Sequence, residues 1–189
     1  MNNRNMNCED ARISPKRLQL YNTLRRLWTE HVMWTRAFIL STAFDLPDLN
    51  AVTTRLLRNP ADFADALRPL YGAMKALRFK NLLTEHLEIG AALVNAAKAG
   101  DSGLADEKRE EWYENADDIA GFLSEINPYW NKVTWQNLLY DHLKMTENEA
   151  TQILTGQYEA SIGQYDAIAK EALEMADYMA TGIFRQFRL

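Results

Sequence analysis

All three histidines of this 189-residue chain occupy the same place in a recurring six-residue phrase. The phrase reads LWTEHV at 27–32, LLTEHL at 82–87 and LLYDHL at 138–143, and in each copy an acidic residue directly precedes the histidine. Imidazole nitrogen and carboxylate oxygen together are ligands that suit iron, manganese or zinc. The pattern therefore predicts a buried His/carboxylate metal centre built from three pairs: Glu30–His31, Glu85–His86 and Asp141–His142.

Apolar residues place each histidine on one face of a helix. Around His31, the residues Leu24, Leu27, Thr35 and Phe38 recur at spacings of three and four, which indicates a helical stripe. Similar stripes run through the other two histidines, and no long stretch alternates with the period of two that is typical of a strand. We therefore predict an all-α fold: an antiparallel four-helix bundle of the ferritin-like, up-and-down type, with short accessory helices.

Local signals set the expected boundaries of these helices. Serine, threonine, asparagine or aspartate before a periodic segment is typical of a helix start, and TENE at 146–149 has the spacing of a capping box. A glycine after a periodic segment is typical of a helix end, so we expect one end at Gly100 and a break between Pro69 and Gly72. The predicted first residues or caps are, in chain order: Ser14, Asn59, Asp101 or Ser102, Thr134 and Thr146.

The height of each candidate ligand along the bundle tests whether the histidines can meet. With a rise of about 1.5 Å per residue, His31, His86, His142 and Asp117 lie at heights that agree to within about one helical turn. Asp118 follows directly in the segment NADD. An acid that does not bind the metal can instead accept the second N–H of a histidine and fix its tautomer. The predicted ligands or their hydrogen-bonding partners are His31, His86, His142, Asp117, Asp118, Glu30, Glu85 and Asp141.

A metal-free interpretation stays open beside the metal centre. In that case the acid–histidine pairs are buried ion pairs of a structural bundle, which holds a partner or a small ligand, and such pairs set register more than they add stability. The chain contains neither the Gly-x-x-x-x-Gly-Lys-Ser/Thr nor the Gly-x-Gly-x-x-Gly phosphate-binding motif, which excludes nucleotide binding by these loops. The sequence assigns no substrate, no reaction and no catalytic residue.

Composition limits the environment and the partners. Apolar residues make up 47% and charged residues 25% of the chain, which is typical of a globular protein. The net charge is −5 and the basic residues are scattered, so we expect neither a nucleic-acid nor a membrane partner, while a homodimer stays an open alternative. The single cysteine, Cys8, lies in residues 1–13, which we expect to be a disordered tail before a single domain at 14–189. Without a signal-peptide pattern, the expected location is the cytoplasm.

Several segments resemble known bundle proteins. LWTEHV, RLLRNPADF, LRPLYG, LLTEHL, NADDIAGFL, INPYW and YDHLKMTENEA are similar to segments of an uncharacterised family of small bacterial helical-bundle proteins, over residues 20–180. More distantly, the layout resembles ferritin-like and haemerythrin-like metal-binding bundles, which implies a metal held inside the bundle. The Glu-x-x-His spacing of ferritin-like di-iron sites is absent, because Trp28, Leu83 and Leu139 precede the histidines by three.

Overall fold

A computed structural model of the protein describes residues 14–189 and contains six α-helices of 23 to 30 residues. The prediction of an all-α fold is confirmed for this part of the chain, which holds no strand. Cys8 and the predicted tail lie outside the described residues. The helices are α1 (Pro15–Ala43), α2 (Leu49–Tyr71), α3 (Ala73–Ala99), α4 (Ser102–Ile126), α5 (Lys132–Leu154) and α6 (Tyr158–Phe187).

Local chemistry explains most of the helix boundaries. The side chain of Ser14 accepts a hydrogen bond from the first turn of α1, and Asp101 does the same for α4, as predicted. The predicted break falls at Gly72, whose φ of 81° lies in the region that favours glycine, and α3 ends at Gly100 with a φ of 73°. The cap of α5 is Asn131 and not the predicted Thr134, which lies inside the helix and donates its backbone N–H to the Asn131 side chain.

Two predicted helix starts are wrong, and the helix count is six long helices in place of four long and some short ones. Asn59 and Pro60 lie inside α2, where they are fully or almost fully buried, and Thr146 lies inside α5. Proline inside a helix loses one backbone hydrogen bond, so burial of this face of α2 must outweigh that loss. Glu149 does not reach back to a helix cap, because its buried carboxylate pairs with Arg36 of α1.

The six helices close into a ring. Each helix packs against its neighbours in the chain, and α6 packs against α1, while α1, α3 and α5 also contact one another across the middle of the ring. Consecutive helices form three hairpins: α1–α2, α3–α4 and α5–α6. The odd-numbered helices therefore form the inner layer, and each is paired with an even-numbered helix outside it.

Contacts at the helix ends show the direction of the inner helices. Lys98, in the last turn of α3, donates to the carbonyl of Thr42 at the end of α1 at 2.7 Å, so α1 and α3 run in the same direction. The pair of Arg36 and Glu149 joins the C-terminal halves of α1 and α5, so α5 runs the same way. The predicted antiparallel direction of the second long helix relative to the first is therefore wrong.

Apolar side chains fill the space between the two layers. The largest fully buried side chains come from all six helices and from Trp130 in the connection between α4 and α5. One core cluster joins all three hairpins, and a second, smaller cluster includes Ile39 and Ile153. None of the six described helices is long and apolar enough to cross a membrane. The core holds few buried polar groups, and the three histidines are among them.

Candidate metal centre

The three histidines lie in one layer because they occupy equivalent positions on the inner helices. His31, His86 and His142 precede the last residues of α1, α3 and α5 by 12, 13 and 12 positions (43 − 31, 99 − 86 and 154 − 142). Because these three helices run in the same direction, equal distances from their ends give equal heights. The prediction that the three histidines meet is confirmed.

The imidazole rings face one another in the interior. Only 1–2% of each histidine is exposed, and one ring nitrogen from each lies within 4.8 Å of the others. The ring centroids of His31 and His86 are 6.1 Å apart, and those of His31 and His142 are 5.6 Å apart. Within residues 14–189, no carboxylate joins the three imidazoles to form a larger cluster of this kind.

The outer helix of each hairpin supplies a hydrogen-bond partner for Nδ1 of the histidine on the inner helix. Nδ1 of His31 lies 3.2 Å from Oδ1 of Asn59, and Nδ1 of His86 lies 3.1 Å from Oδ1 of Asn115. In the third hairpin, Nδ1 of His142 lies 3.1 Å from Oε2 of Glu171. The partner follows its histidine by 28, 29 and 29 residues, so the three hairpins repeat one contact.

The amide partners fix the tautomers of two histidines. Nδ2 of Asn59 donates to the carbonyl of Leu27 at 3.0 Å, and Nδ2 of Asn115 donates to the carbonyl of Leu82 at 3.2 Å. A backbone carbonyl only accepts, so the amide oxygen of each asparagine must face its histidine. Nδ1 of the imidazole therefore carries the proton, and Nε2 keeps the lone pair that a metal ion requires.

The carboxylate of Glu171 performs the same task with a different charge. Its Oε2 accepts from His142, whereas its Oε1 is buried and has no hydrogen-bond partner among the described residues. In the other two hairpins the second polar atom of the partner donates to the carbonyl four residues before the histidine. An ionised carboxylate cannot make that bond because it has no proton to donate. Glu171 thus brings an acidic group to the site at the expense of one hydrogen bond.

Burial keeps the imidazoles of His31 and His86 neutral. Burial lowers the pKa of His86 to about 3, the nearby His142 contributes in the same direction, and the bond to Asn115 opposes the change. The pKa of His31 also lies well below its ordinary value, first because of burial and then because of the other two histidines. Uncharged imidazoles with free lone pairs are the form that binds metal.

Aromatic side chains separate this layer from solvent. The ring of Trp28 meets His31 edge-on at a centroid distance of 5.6 Å, and Trp112 lies 5.3 Å from His86. The indole N–H of Trp112 donates to the carbonyl of His86 at 2.9 Å, which ties α4 to α3 at this height. These contacts hold the rings, and burial of the histidines strengthens electrostatic interactions inside the site.

The acids that precede the histidines point away from the cluster. Glu30 pairs with Arg26 at 2.7 Å and with Arg55 at 2.9 Å near the surface. Glu85 is exposed and accepts a hydrogen bond from Asn115 at 3.3 Å, and Asp141 is exposed. Adjacent residues on a helix differ in direction by about 100°, so a buried histidine turns its preceding acid outward.

The acids of the NADD segment also lie outside the cluster. Asp117 is half-buried and accepts hydrogen bonds from Gln136 at 2.9 Å and from Tyr140 at 2.7 Å, so it joins α4 to α5. Asp118 is exposed in a surface hollow that Glu85 also lines. Of the eight residues predicted for the site, the structure brings together the three histidines and not the five acids.

The residues behind the histidines were absent from the prediction. A signal for them exists in the sequence, because Asn59, Asn115 and Glu171 follow one another at intervals of 56 residues, which is also the interval between His86 and His142. Asn59 was interpreted as a helix cap. The repeat of this position is hard to recognise because its third copy is a glutamate, Glu171, and not an asparagine. A search for the period of the histidines in other buried polar residues would have found the three partners.

Comparison with models of protein families, with curated proteins and with solved structures gives no significant match to this chain. The resemblance to small bacterial bundle proteins and to ferritin-like bundles stays a prediction. Function is therefore inferred from the geometry and the chemistry of the cluster.

Proposed function

We propose that the protein binds one transition-metal ion, zinc or iron, through Nε2 of His31, His86 and His142. One observation carries this proposal: three buried imidazoles turn one nitrogen each toward a common point while their Nδ1 atoms are engaged elsewhere. Three lone pairs that meet in an apolar interior repel one another, and a cation at their centre removes that repulsion. A hydrogen bond at the second nitrogen of each metal-bound histidine is the usual design of such sites.

The size of the cluster fits one ion. The centre of a triangle with sides of 4.8 Å is about 2.8 Å from each corner, and zinc–imidazole bonds are about 2.0–2.1 Å long. Each ring would therefore move by less than about 1 Å to contact an ion, which small changes of side-chain torsion supply.

The ligand type narrows the choice of metal. Imidazole suits zinc and iron, whereas manganese favours carboxylate and water, and the cluster offers no carboxylate at the centre. Of the three metals expected from the sequence, zinc and iron therefore agree best with the side chains present. Three protein ligands leave a coordination position open, which is typical of catalytic zinc sites and not of structural ones.

Metal analysis of protein purified without a histidine tag tests this proposal. We expect about one equivalent of zinc or iron per chain, and a chelator should lower the midpoint of thermal unfolding because the metal binds only the folded state. The triple variant H31Q/H86Q/H142Q should bind no metal and should not respond to the chelator.

The double variant E30Q/E85Q is the matched control, because it changes two acids beside histidines and keeps all three imidazoles. It should retain a full equivalent of metal. Loss of metal in this variant would show that Glu30 or Glu85 takes part in metal binding. Wild-type protein that takes up less than about a tenth of an equivalent after zinc or iron is added would overturn the proposal, and the metal-free bundle would then be the better interpretation.

A further inference from the structure

A small cavity lies against the three histidines. It has a volume of about 30 Å³, and all three imidazoles form part of its wall. Most of the remaining wall is apolar and includes Phe38, Ile39, Leu56 and Val94. A water-sized group requires about 10–15 Å³ of such volume, so the cavity has room for two or three small atoms beside the cluster.

The residue four positions after each histidine lines this cavity. These residues are Thr35 in α1, Gly90 in α3 and Thr146 in α5. Residues four apart lie on the same face of a helix, one turn on, so they surround the space next to the imidazoles on the C-terminal side. The wall is therefore built from three equivalent positions, and two of them carry a hydroxyl group.

The two threonines use their hydroxyl groups differently. Thr35 donates to the carbonyl of His31 at 2.8 Å, and Thr53, Thr54 and Thr181 make the same bond to the carbonyl four residues earlier. Thr146 is only 4% exposed, and its hydroxyl has no partner among the residues that the structure describes. A buried hydroxyl without a hydrogen bond is unfavourable, so this group is available to a ligand in the cavity.

A second cavity adjoins this space and lies between α3, α4 and α5. Its volume is about 70 Å³, and it shares Gly90, Val94, Trp112 and Thr146 with the first cavity. A methyl group on Gly90 would lie 3.0 Å from the indole of Trp112, so glycine allows α3 and α4 to approach here. At the outer end, the half-exposed ion pair of Arg109 and Glu147 borders the second cavity.

We propose that the inner cavity binds a ligand of two or three non-hydrogen atoms at the open coordination position of the metal, with the Thr146 hydroxyl as its hydrogen-bond partner. This inference rests on the proposed function, because the ligand needs the metal ion. The site selects for size, since the apolar wall leaves no room for a ring. The ligand enters along the second cavity, past the ion pair of Arg109 and Glu147.

Cobalt(II)-loaded protein and sodium azide test the inference, because azide has three atoms and cobalt reports its coordination in the visible spectrum. We expect azide to change the visible bands of the cobalt protein in a saturable titration. Imidazole, which has five ring atoms, should leave the bands unchanged at the same concentrations.

Two matched valine variants locate the hydrogen bond. T146V removes the unpartnered hydroxyl and should weaken azide binding about 10-fold, which corresponds to about 1.4 kcal/mol. T35V removes the hydroxyl that donates to its own helix and should change azide binding less than about 2-fold. T146V should also raise the midpoint of thermal unfolding of the metal-free protein, which shows that the variant folds.

The cobalt content, measured before azide is added, separates the two proposals. Less than a tenth of an equivalent of bound cobalt would count against the metal centre itself. A full equivalent of cobalt whose spectrum does not respond to azide would overturn the ligand site alone. Equal weakening of azide binding by T146V and T35V, or binding of imidazole as tight as that of azide, would also overturn it.

Discussion

The three hairpins hold their histidines with two different kinds of hydrogen-bond partner. In α1–α2 and α3–α4, an asparagine of the outer helix accepts from the histidine and donates to a backbone carbonyl, so both of its polar ends are used. In α5–α6, Glu171 accepts from His142 and leaves its other oxygen without a partner among the described residues. The same hairpin carries Thr146, whose hydroxyl is also unpartnered, whereas Thr35 of the first hairpin donates to its own helix.

The asparagine hairpins are arranged for stability, whereas the third hairpin carries features that agree with a role in binding. The two asparagines pair both ends of their buried amides, which is the arrangement that favours folding. The third hairpin gives up two hydrogen bonds in the same interior and gains an acidic group beside one ligand and a hydroxyl beside the cavity. Unpaired buried groups are unfavourable, so their position next to the cluster agrees with a role in binding.

Loss of an amide partner should have the largest effect on folding. Asn115→Leu leaves Nδ1–H of His86 without its acceptor and removes the added hydrogen bond to the carbonyl of Leu82, and an unpaired buried group costs about 1–3 kcal/mol. We expect the free energy of unfolding of the metal-free protein to fall by roughly 3 kcal/mol in a urea titration. Asn115→Asp keeps the acceptor, copies the third hairpin and should cost about half as much. Equal losses in the two variants would contradict the assigned hydrogen bonds.

Acid should destabilise the metal-free protein through the histidines with amide partners. The pKa of His86 is about 3 when folded and about 6.5 when unfolded, so the unfolded chain binds more protons between these values. Stability is therefore fully present above pH 6.5 and falls with falling pH, by about 2 kcal/mol at pH 5 relative to pH 8 for this histidine. Metal-free H86Q should show a pH dependence that is smaller by that amount in urea titrations. Parallel curves for the two proteins would contradict the neutral, buried imidazole.

Replacement of the Glu171 carboxylate by an amide should weaken metal binding more than it changes the stability of the fold. Glu171→Gln keeps the acceptor for His142 and removes the acidic group, and such changes behind a metal ligand typically weaken binding about 10-fold or more. Competition with a chromogenic chelator measures the dissociation constant. The metal-free variant should be at least as stable as the wild type, because an amide can pair both of its ends. Unchanged metal affinity would contradict a role for the Glu171 carboxylate in metal binding.

The acid next to His142 in the sequence should matter least. Asp141 is exposed, so Asp141→Asn should change the free energy of unfolding by less than about 0.5 kcal/mol and leave metal affinity within 2-fold. The comparison with Glu171→Gln uses the same two assays. A larger effect from Asp141 than from Glu171 would show that the neighbour in sequence, and not the neighbour in space, supports the ligand.

Much of the site could be predicted because its central residues repeat within single helices. An apolar stripe of period 3.6 identifies the buried face, and His31 lies on such a stripe together with Leu27 and Phe38. Glu30, Glu85 and Asp141 were assigned to the site by adjacency in sequence, which is misleading on a helix because neighbours point in different directions. Asn59 and Glu171 were missed because their roles come from contacts between helices about 28 residues apart in the chain.

The helix boundaries likewise divide into those set by local chemistry and those set by packing between helices. Ser14 acts through a side-chain hydrogen bond to the first turn, and Gly72 and Gly100 act through backbone geometry, so local chemistry was enough to predict them. Asn59 and Thr146 have equally good local signals, yet both lie inside helices because burial between helices outweighs a cap. Local propensities are worth about 1 kcal/mol, whereas a buried face contributes several times more.

The sequence by itself determined the all-α fold and the burial of the three histidines, since both follow from a periodicity that each segment carries alone. The tertiary structure decided that α1, α3 and α5 run in the same direction as an inner layer, and therefore that three imidazoles meet and five acids do not. It also decided which residues stand behind the histidines and where a cavity remains. Those outcomes depend on how separate helices pack, and no single segment holds that information.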